Sequence, residues 1–172
     1  MIVRLAEDAD RESALEIERR AFGEPRSAAI VTAVWDARGS FGLIAEEDDV
    51  PIGHVQFSTA TIGDDEVLAL GPIGVVPEHQ GRGVGSALIK AGAEEARARG
   101  AVAVILLGAP SSYGRFGFVP GSTLGLANLN AGVEEGVVVS EDAFQVLPLG
   151  EWAGSLHGPV RWHRAFSDPT AN

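Results

Sequence analysis

Three glycines in five residues, Gly81, Gly83 and Gly85, stand directly before a run with helical periodicity, GSALIKAGAEEARARG. Glycine costs backbone entropy on folding, so the cluster implies that something approaches the main chain closely. A strand, a glycine loop and a helix start present free N–H groups at the positive end of a helix dipole, which suits an anion. A phosphate ester is the inferred ligand. Two nucleotide-binding patterns fit poorly. A Walker A loop ends in Gly-Lys-Ser/Thr, whereas this chain reads Gly83-Val84-Gly85-Ser86; the dinucleotide fingerprint G-x-G-x-x-G meets Ser86 or Leu88 where its third glycine belongs. The histidines lack metal-site spacing, so no metal is expected, and no G-x-S-x-G elbow occurs. The chain has no cysteine, which excludes disulfides, thiolate metal sites and a cysteinyl acyl-enzyme.

The elements that would hold this loop follow from periodicity. IVRLAE reads as an opening strand. DADRESALEIERRAF places Ala14, Leu15, Ile17, Ala21 and Phe22 on one helical face, with Asp8 or Asp10 as its cap. RSAAIVTAVWDARG reads as a second helix closed by Gly39. FGLIAEE, PIGHVQFSTATIG and EVLALGPIGVV read as strands joined through the acidic turns EEDD and DDE. The helix after the glycine loop ends at Gly100, and AVAVILLGA then has the continuous apolar character of a strand buried on both faces. A helix between two such strands is the natural crossover for parallel neighbours. PSSYGRFGF is a turn entering another strand, FQVLPL and GPVRWHRAF read as late strands, and 121–143 is glycine-rich and the least legible stretch.

Two motifs then stand in order. Gln80-Gly81-Arg82-Gly83-Val84-Gly85 resembles the Q/R-x-x-G-x-G/A motif of the GNAT superfamily of N-acetyltransferases, and IGVVPEH before it resembles that family's fourth strand. Tyr113-Gly114-Arg115-Phe116-Gly117-Phe118 resembles the family's Tyr-x-x-x-Gly-Phe signature, one helix and one strand later. The match is best from about Val67 to Pro120, and the tail resembles a bacterial subgroup of predicted, mostly uncharacterised acetyltransferases. That subgroup often has Asp and Tyr where this chain has Ala109 and Ser112.

The resemblance implies an α/β fold with a central mixed, mostly antiparallel sheet, splayed between its fourth and fifth strands and flanked by helices. It implies a single acyl-CoA N-acyltransferase domain over 1–172, in which 121–172 is a subgroup-specific part completing the sheet. The implied activity moves an acetyl group from acetyl-CoA, the cosubstrate, to a primary amine by direct attack in a ternary complex. Backbone groups near Ile73, Val75 and Val76 would hold the pantetheine arm. The N–H groups of Gly81, Arg82, Gly83, Val84, Gly85 and Ser86 would hold the pyrophosphate, with Gln80 at a motif position and Arg82 as a cation. Ser112 and Phe116 would flank the cofactor, and a bulge around Gly74 would open the thioester slot. Tyr113, the chain's only tyrosine, falls where the family places the general acid for the departing thiolate. A phenol with a pKa of about 10 keeps its proton at neutral pH and suits that task.

The base is not legible. Glu66 and His54 are candidates and so is Glu24, but each has a structural or solvated reading, and a water chain or a neutral amine would serve equally. His157 and His163, with Trp152 and Trp162, would either line a pocket from the tail or pack a core. Because the base is missing, the alternative is a non-catalytic acyl-CoA-binding sensor or interaction module.

Composition bounds the rest. With 172 residues, 45% hydrophobic and 22% charged, the chain suits one globular domain with its own core. Its apolar runs are too short for a bilayer span and its opening residues carry acids early, so a cytoplasmic protein is expected. A formal net charge of -11 disfavours nucleic acid and anionic membranes as partners. The expected partner is a small-molecule or peptide amine, a cationic one being favoured by the charge; a homodimer is an open alternative.

Overall fold

The computed structural model describes residues 1–127, 141–149 and 156–168. The chain opens with β1 (Ile2–Leu5), α1 (Arg11–Phe22) and α2 (Arg26–Val34). Three long strands follow, β2 (Phe41–Glu47), β3 (Val50–Ile62) and β4 (Asp65–Val75), then α3 (Val84–Ala98) and β5 (Ala103–Leu107). The short helix α4 (Pro110–Tyr113) leads to β6 (Val119–Pro120), and β7 (Phe144–Pro148) and β8 (Val160–Arg161) complete the described elements. The strands form one sheet in the order β1-β2-β3-β4-β5-β7-β6, with β8 paired to the far end of β3. Every pairing is antiparallel except β4 with β5, which α3 connects as a crossover.

The turns obey local chemistry. Asp48 and Asp49 close the β2–β3 hairpin with φ of 52° and 62°, a left-handed pair that short acidic side chains tolerate. Of the two expected caps, Asp8 and Asp10, Asp10 holds the N-cap position of α1, but its carboxylate takes the Arg4 guanidinium, at 2.6 and 2.8 Å, and the Glu7 N–H at 2.8 Å rather than a helix N–H. Only Val160–Arg161 of the segment expected as the last strand is extended in the sheet; Arg164–Phe166 is a 3-10 turn capped by the His163 ring, which accepts from the Ala165 N–H at 3.2 Å.

Side chains alternate across β3, as the pleat requires. Val55 and Phe57 belong to the apolar cluster with Val84, Leu88 and Ala93 of α3. The opposite face of β3 carries His54, Gln56 and Ser58, all buried, and His54 meets Glu18 of α1. So α1 and α3 cover opposite faces of the strand.

One irregularity shapes the site. Val55 pairs with Ile73 and Phe57 with Leu70, so Gln56 alone stands opposite Gly71 and Pro72. This is a β-bulge. Proline has no N–H for the ladder, and Gly71 adopts φ 141°, which a side chain would strain. The bulge was expected at Gly74, but Gly74 pairs regularly with His54. A Cβ there would lie 3.0 Å from Glu18 Oε2 and 3.1 Å from Ala21 Cβ, so that glycine lets α1 sit close on β4. β4 pairs with β5 only at Leu68–Val104 and Ala69–Ile105, just before the bulge; beyond it the two strands splay.

Candidate active site

The splay opens a groove of about 580 Å³ beside the second half of β4. Ile73 and Val75 form its floor. The direction of their main-chain groups follows from one bond. Val76 N–H donates to Ile52 O across the β3 side at 3.0 Å, so the carbonyl in the same peptide unit, that of Val75, points to the opposite edge. Val75 and, two residues earlier, Ile73 therefore turn their own N–H and C=O groups into the splay. Val76 does not belong there: it is 4% exposed, packs in the core and has spent its N–H on β3.

The glycine loop makes one end of the groove. Gln80, Gly81, Gly83, Val84, Gly85 and Ser86 line it. Gln80 Nε2 donates to the Val75 carbonyl at 2.9 Å and so ties the loop to the strand. Gly83 caps α3 in a left-handed conformation, φ 89°, and no side chain caps the helix. The bond from Ala87 N–H to Gly83 O opens the helical ladder, which leaves the N–H groups of Val84, Gly85 and Ser86 without a helical acceptor. A Cβ on Gly83 would meet nothing within 4 Å. Space for an anion, free donors and the helix dipole coincide here.

The opposite wall comes from α4 and the turn after it, through Ser112, Tyr113, Arg115 and Phe116. Tyr113 is held by packing: its ring lies where a Cβ on Gly108 would be 2.3 Å from Cε2, and it meets Phe118 edge-on at 5.8 Å. Burial pushes its phenol above the usual value of 10.0. Arg115 spans the walls, donating to Ser86 Oγ at 3.2 Å while its guanidinium lies 4.8 Å from the Phe116 ring centre. The motif expectation placed the groove's cation at Arg82. The structure instead pairs Arg82 with Glu47 at 3.2 Å on the surface, off the groove wall, and puts Arg115 in the groove. Arg115 lies inside the second motif, but the spacing alone gives no sign that it folds back over Ser86. His79 reaches the groove edge and lies 3.3 Å from Glu47.

None of the three base candidates lines this groove, and Glu24 lines the second cavity instead. His54 and Glu18 are both fully buried and bonded at 2.8 Å, His54 Nδ1 to Glu18 Oε1, beneath α1. Glu66 sits near the start of β4, on the far side of the bulge from Ile73, and is exposed, with Arg38 at 4.0 Å. The partner of His54 was not legible, because Glu18 falls on the buried face of α1 only when α1 docks on β3.

A second cavity of about 260 Å³ lies on the other side of the bulge. Leu70, Gly71 and Pro72 of β4 form one side. Glu24, Arg26, Ser27 and Ile30 come from the α1–α2 corner, Leu107 from the end of β5, and Trp162 and Phe166 from the tail. Phe22 lines both cavities and marks their junction. Trp162 thus does both things the sequence allowed: it lines this cavity and packs edge-on against Phe144 at 6.3 Å. His163 serves as the turn cap, with burial lowering its pKa, and His157 is exposed. Trp152 lies outside the described residues.

Splayed parallel strands, a bulge between two cavities and a helix N-terminus over one of them are the frame of an acyl-CoA-type transferase. The chain belongs to the Acetyltransferase (GNAT) family, whose sequence profile matches residues 11–118. Among curated relatives, it is 35% identical over 123 residues to the uncharacterized N-acetyltransferase YjhQ of Escherichia coli K12, covering 67% of this chain and 68% of that one. It is 28% identical over 172 residues to the uncharacterized N-acetyltransferase YhbS of the same strain, covering 97% and 99%. The crystal structure of Escherichia coli YhbS in complex with CoA superposes with a TM-score of 0.84 at 27% identity, over 96% of this chain and 91% of that one. A GNAT acetyltransferase from Brucella melitensis in complex with acetyl-CoA gives 0.76 at 30% identity, over 96% and 97%.

Proposed function

We propose that this protein transfers an acetyl group from acetyl-CoA to a primary amine, with both substrates bound at once and Tyr113 as the general acid. The observation that carries this is Tyr113 itself, a half-buried phenol held in the wall of the groove that also contains the unbonded helix donors. The residues fit CoA. Val84, Gly85 and Ser86 N–H groups would receive the pyrophosphate, with Arg115 adding positive charge. The inward main-chain groups of Ile73 and Val75 would pair with the amide-bearing pantetheine arm, which would run along β4 as an extra strand beside it.

The arm's direction leads the thioester to the bulge, where the second cavity begins. An amine there would attack the thioester carbon. An ammonium first gives one proton to water; the N–C bond then forms, the C–S bond breaks, Tyr113 gives its proton to the leaving sulfur, and the second proton shed by the nitrogen returns through water to the Tyr113 oxygen. Inward N–H groups of β4 would stabilise the charge that develops on the carbonyl oxygen. The phenol is the right donor because burial disfavours the phenolate, so the proton stays on oxygen throughout the neutral range.

Thiol release from acetyl-CoA in the presence of amines tests the reading. Tyr113→Phe is expected to lower kcat by at least about tenfold, with the Kd for CoA unchanged. An unchanged kcat in single-turnover experiments would remove Tyr113 from the chemistry. A second reading, a domain that binds acyl-CoA without turnover, draws on the position of two of the three base candidates, His54 and Glu66, away from both cavities. Tight CoA binding with no amine-dependent thiol release across a broad amine panel would establish it.

A further inference from the structure

We infer that the second cavity takes a primary monoamine carried on an aromatic or short aliphatic body, with the ammonium held at Glu24. This rests on the acetyltransferase reading and names its acceptor class. Position comes first. The cavity and the groove share Phe22 and use successive stretches of β4, so an amine in the cavity lies beside the end of the groove where the thioester would arrive.

The walls then select the body of the ligand. Phe22 is 50% exposed and Leu107 39%, and both stand at this cavity, with Ile30, Trp162 and Phe166 completing an apolar lining. Exposed apolar surface of this kind favours a ligand whose apolar body covers it. Charge selects the head group. Glu24 is the one carboxylate among the described lining residues, and it makes no hydrogen bond or ion pair among the described residues. Arg26, the lining cation, donates to the Phe166 carbonyl at 2.9 Å and fastens α2 to the tail. The bond to Phe166 turns that guanidinium toward the tail, and Glu24 is the lining group that can accept from an incoming ammonium, with the aromatic lining adding cation–π attraction.

Size and charge count reject the alternatives. At about 260 Å³ the cavity falls just below the ordinary range of roughly 300–1,000 Å³ for ligand pockets, enough for one ring or a short chain. A polyamine or an aminoglycoside would bring further ammonium groups against apolar walls with no carboxylate to meet them. An amino acid would bring its carboxylate between Glu24, which repels it, and Arg26, whose guanidinium already serves the Phe166 carbonyl.

The test measures kcat/KM by thiol release for 2-phenylethylamine and hexylamine against spermidine, kanamycin, phenylalanine and a lysine-containing peptide. Calorimetric titration of 2-phenylethylamine into CoA-saturated protein is run beside it. The two monoamines are expected to exceed the others at least about tenfold, and Glu24→Gln to raise the KM for 2-phenylethylamine about tenfold while the Kd for CoA stays the same. Turnover that favours spermidine, kanamycin, phenylalanine or the peptide overturns the inference and leaves the acetyltransferase reading standing, as does a KM unmoved by Glu24→Gln. Saturable binding of 2-phenylethylamine without turnover upholds the cavity's ligand class and overturns the catalytic reading. Neither binding nor turnover of any monoamine overturns the inference.

Discussion

Glu18 and His54 are fully buried, and each leaves one atom, Glu18 Oε2 and His54 Nε2, without a hydrogen bond among the described residues. Trp35 stacks over the imidazole at 6.2 Å, and Gly74 leaves room for the carboxylate. Such a pair ties α1 to β3 by mutual dependence, since removing one partner strands the other in a low-dielectric interior. Glu18→Met alone is expected to cost about 1–3 kcal/mol in urea unfolding, because it leaves the buried His54 ring nitrogen unbonded, and Glu18→Met with His54→Phe to recover most of that loss. A single variant as stable as the parent would show that the pair contributes nothing. The functional consequence lies at the end of the same helix, because α1 carries Phe22 to the junction of the two cavities.

At the scale of elements, α3 has two tasks. Its N-terminus presents donors to the groove, and its body must lie close on the sheet to hold that end in place. Gly92 marks the closest approach: a Cβ there would be 2.4 Å from two carbons of the buried Phe57 ring, which itself stacks on Phe41 at 4.6 Å. The ring has no free side to move toward. Gly92→Ala is therefore expected to destabilise by about 1–3 kcal/mol through overpacking, against the usual gain from replacing a helical glycine. Thermal unfolding would read the sign directly; a stabilised variant would mean that α3 can shift outward without loss.

At the scale of the molecule, the strand that begins the sheet is fastened electrostatically. Arg4 of β1 bonds Asp10 before α1 and Glu46 of β2, and so joins three segments. The Arg4 hydrogen bonds hold the Asp10 carboxyl below its usual value of 3.8. A carboxyl with a depressed folded pKa contributes stability that is complete above the unfolded value and disappears as pH falls through the lower folded one. Asp10→Asn is expected to lower stability at pH 7, and the gap between variant and parent to begin narrowing once the pH drops below about 3.8 and to close below the lower folded value. Urea midpoints measured from pH 7 down to pH 3 check this; a gap that persists unchanged at pH 3 would assign the effect to packing. With a net charge of -11, the chain also gains from shedding negative charge on mild acidification, so the comparison with the variant is what isolates Asp10. Among the described residues no helix is long and apolar enough to cross a membrane.

The hairpin strands, the crossover helix and the parallel β4–β5 pair were legible because each depends on local periodicity or on turn residues such as Asp48 and Asp49. The glycine-loop end of the groove was legible for the same reason: glycines before a helix start are a local arrangement. The rest depended on which distant segments meet. Gly71–Pro72 became the bulge because proline and a left-handed glycine break the β3–β4 ladder there, although the sequence read equally well with the break at Gly74. Arg115, not Arg82, reached the groove because Glu47 on a neighbouring strand captured Arg82. His54 lost its place as a base because docking α1 buried it against Glu18, which stands 36 residues away in the chain. The second cavity draws on the α1–α2 corner, the bulge, the end of β5 and the tail. Sequence spacing determined the glycine loop at the start of α3, whereas only tertiary packing decided which side chains line the cavity beyond the bulge, because they come from segments far apart in the chain.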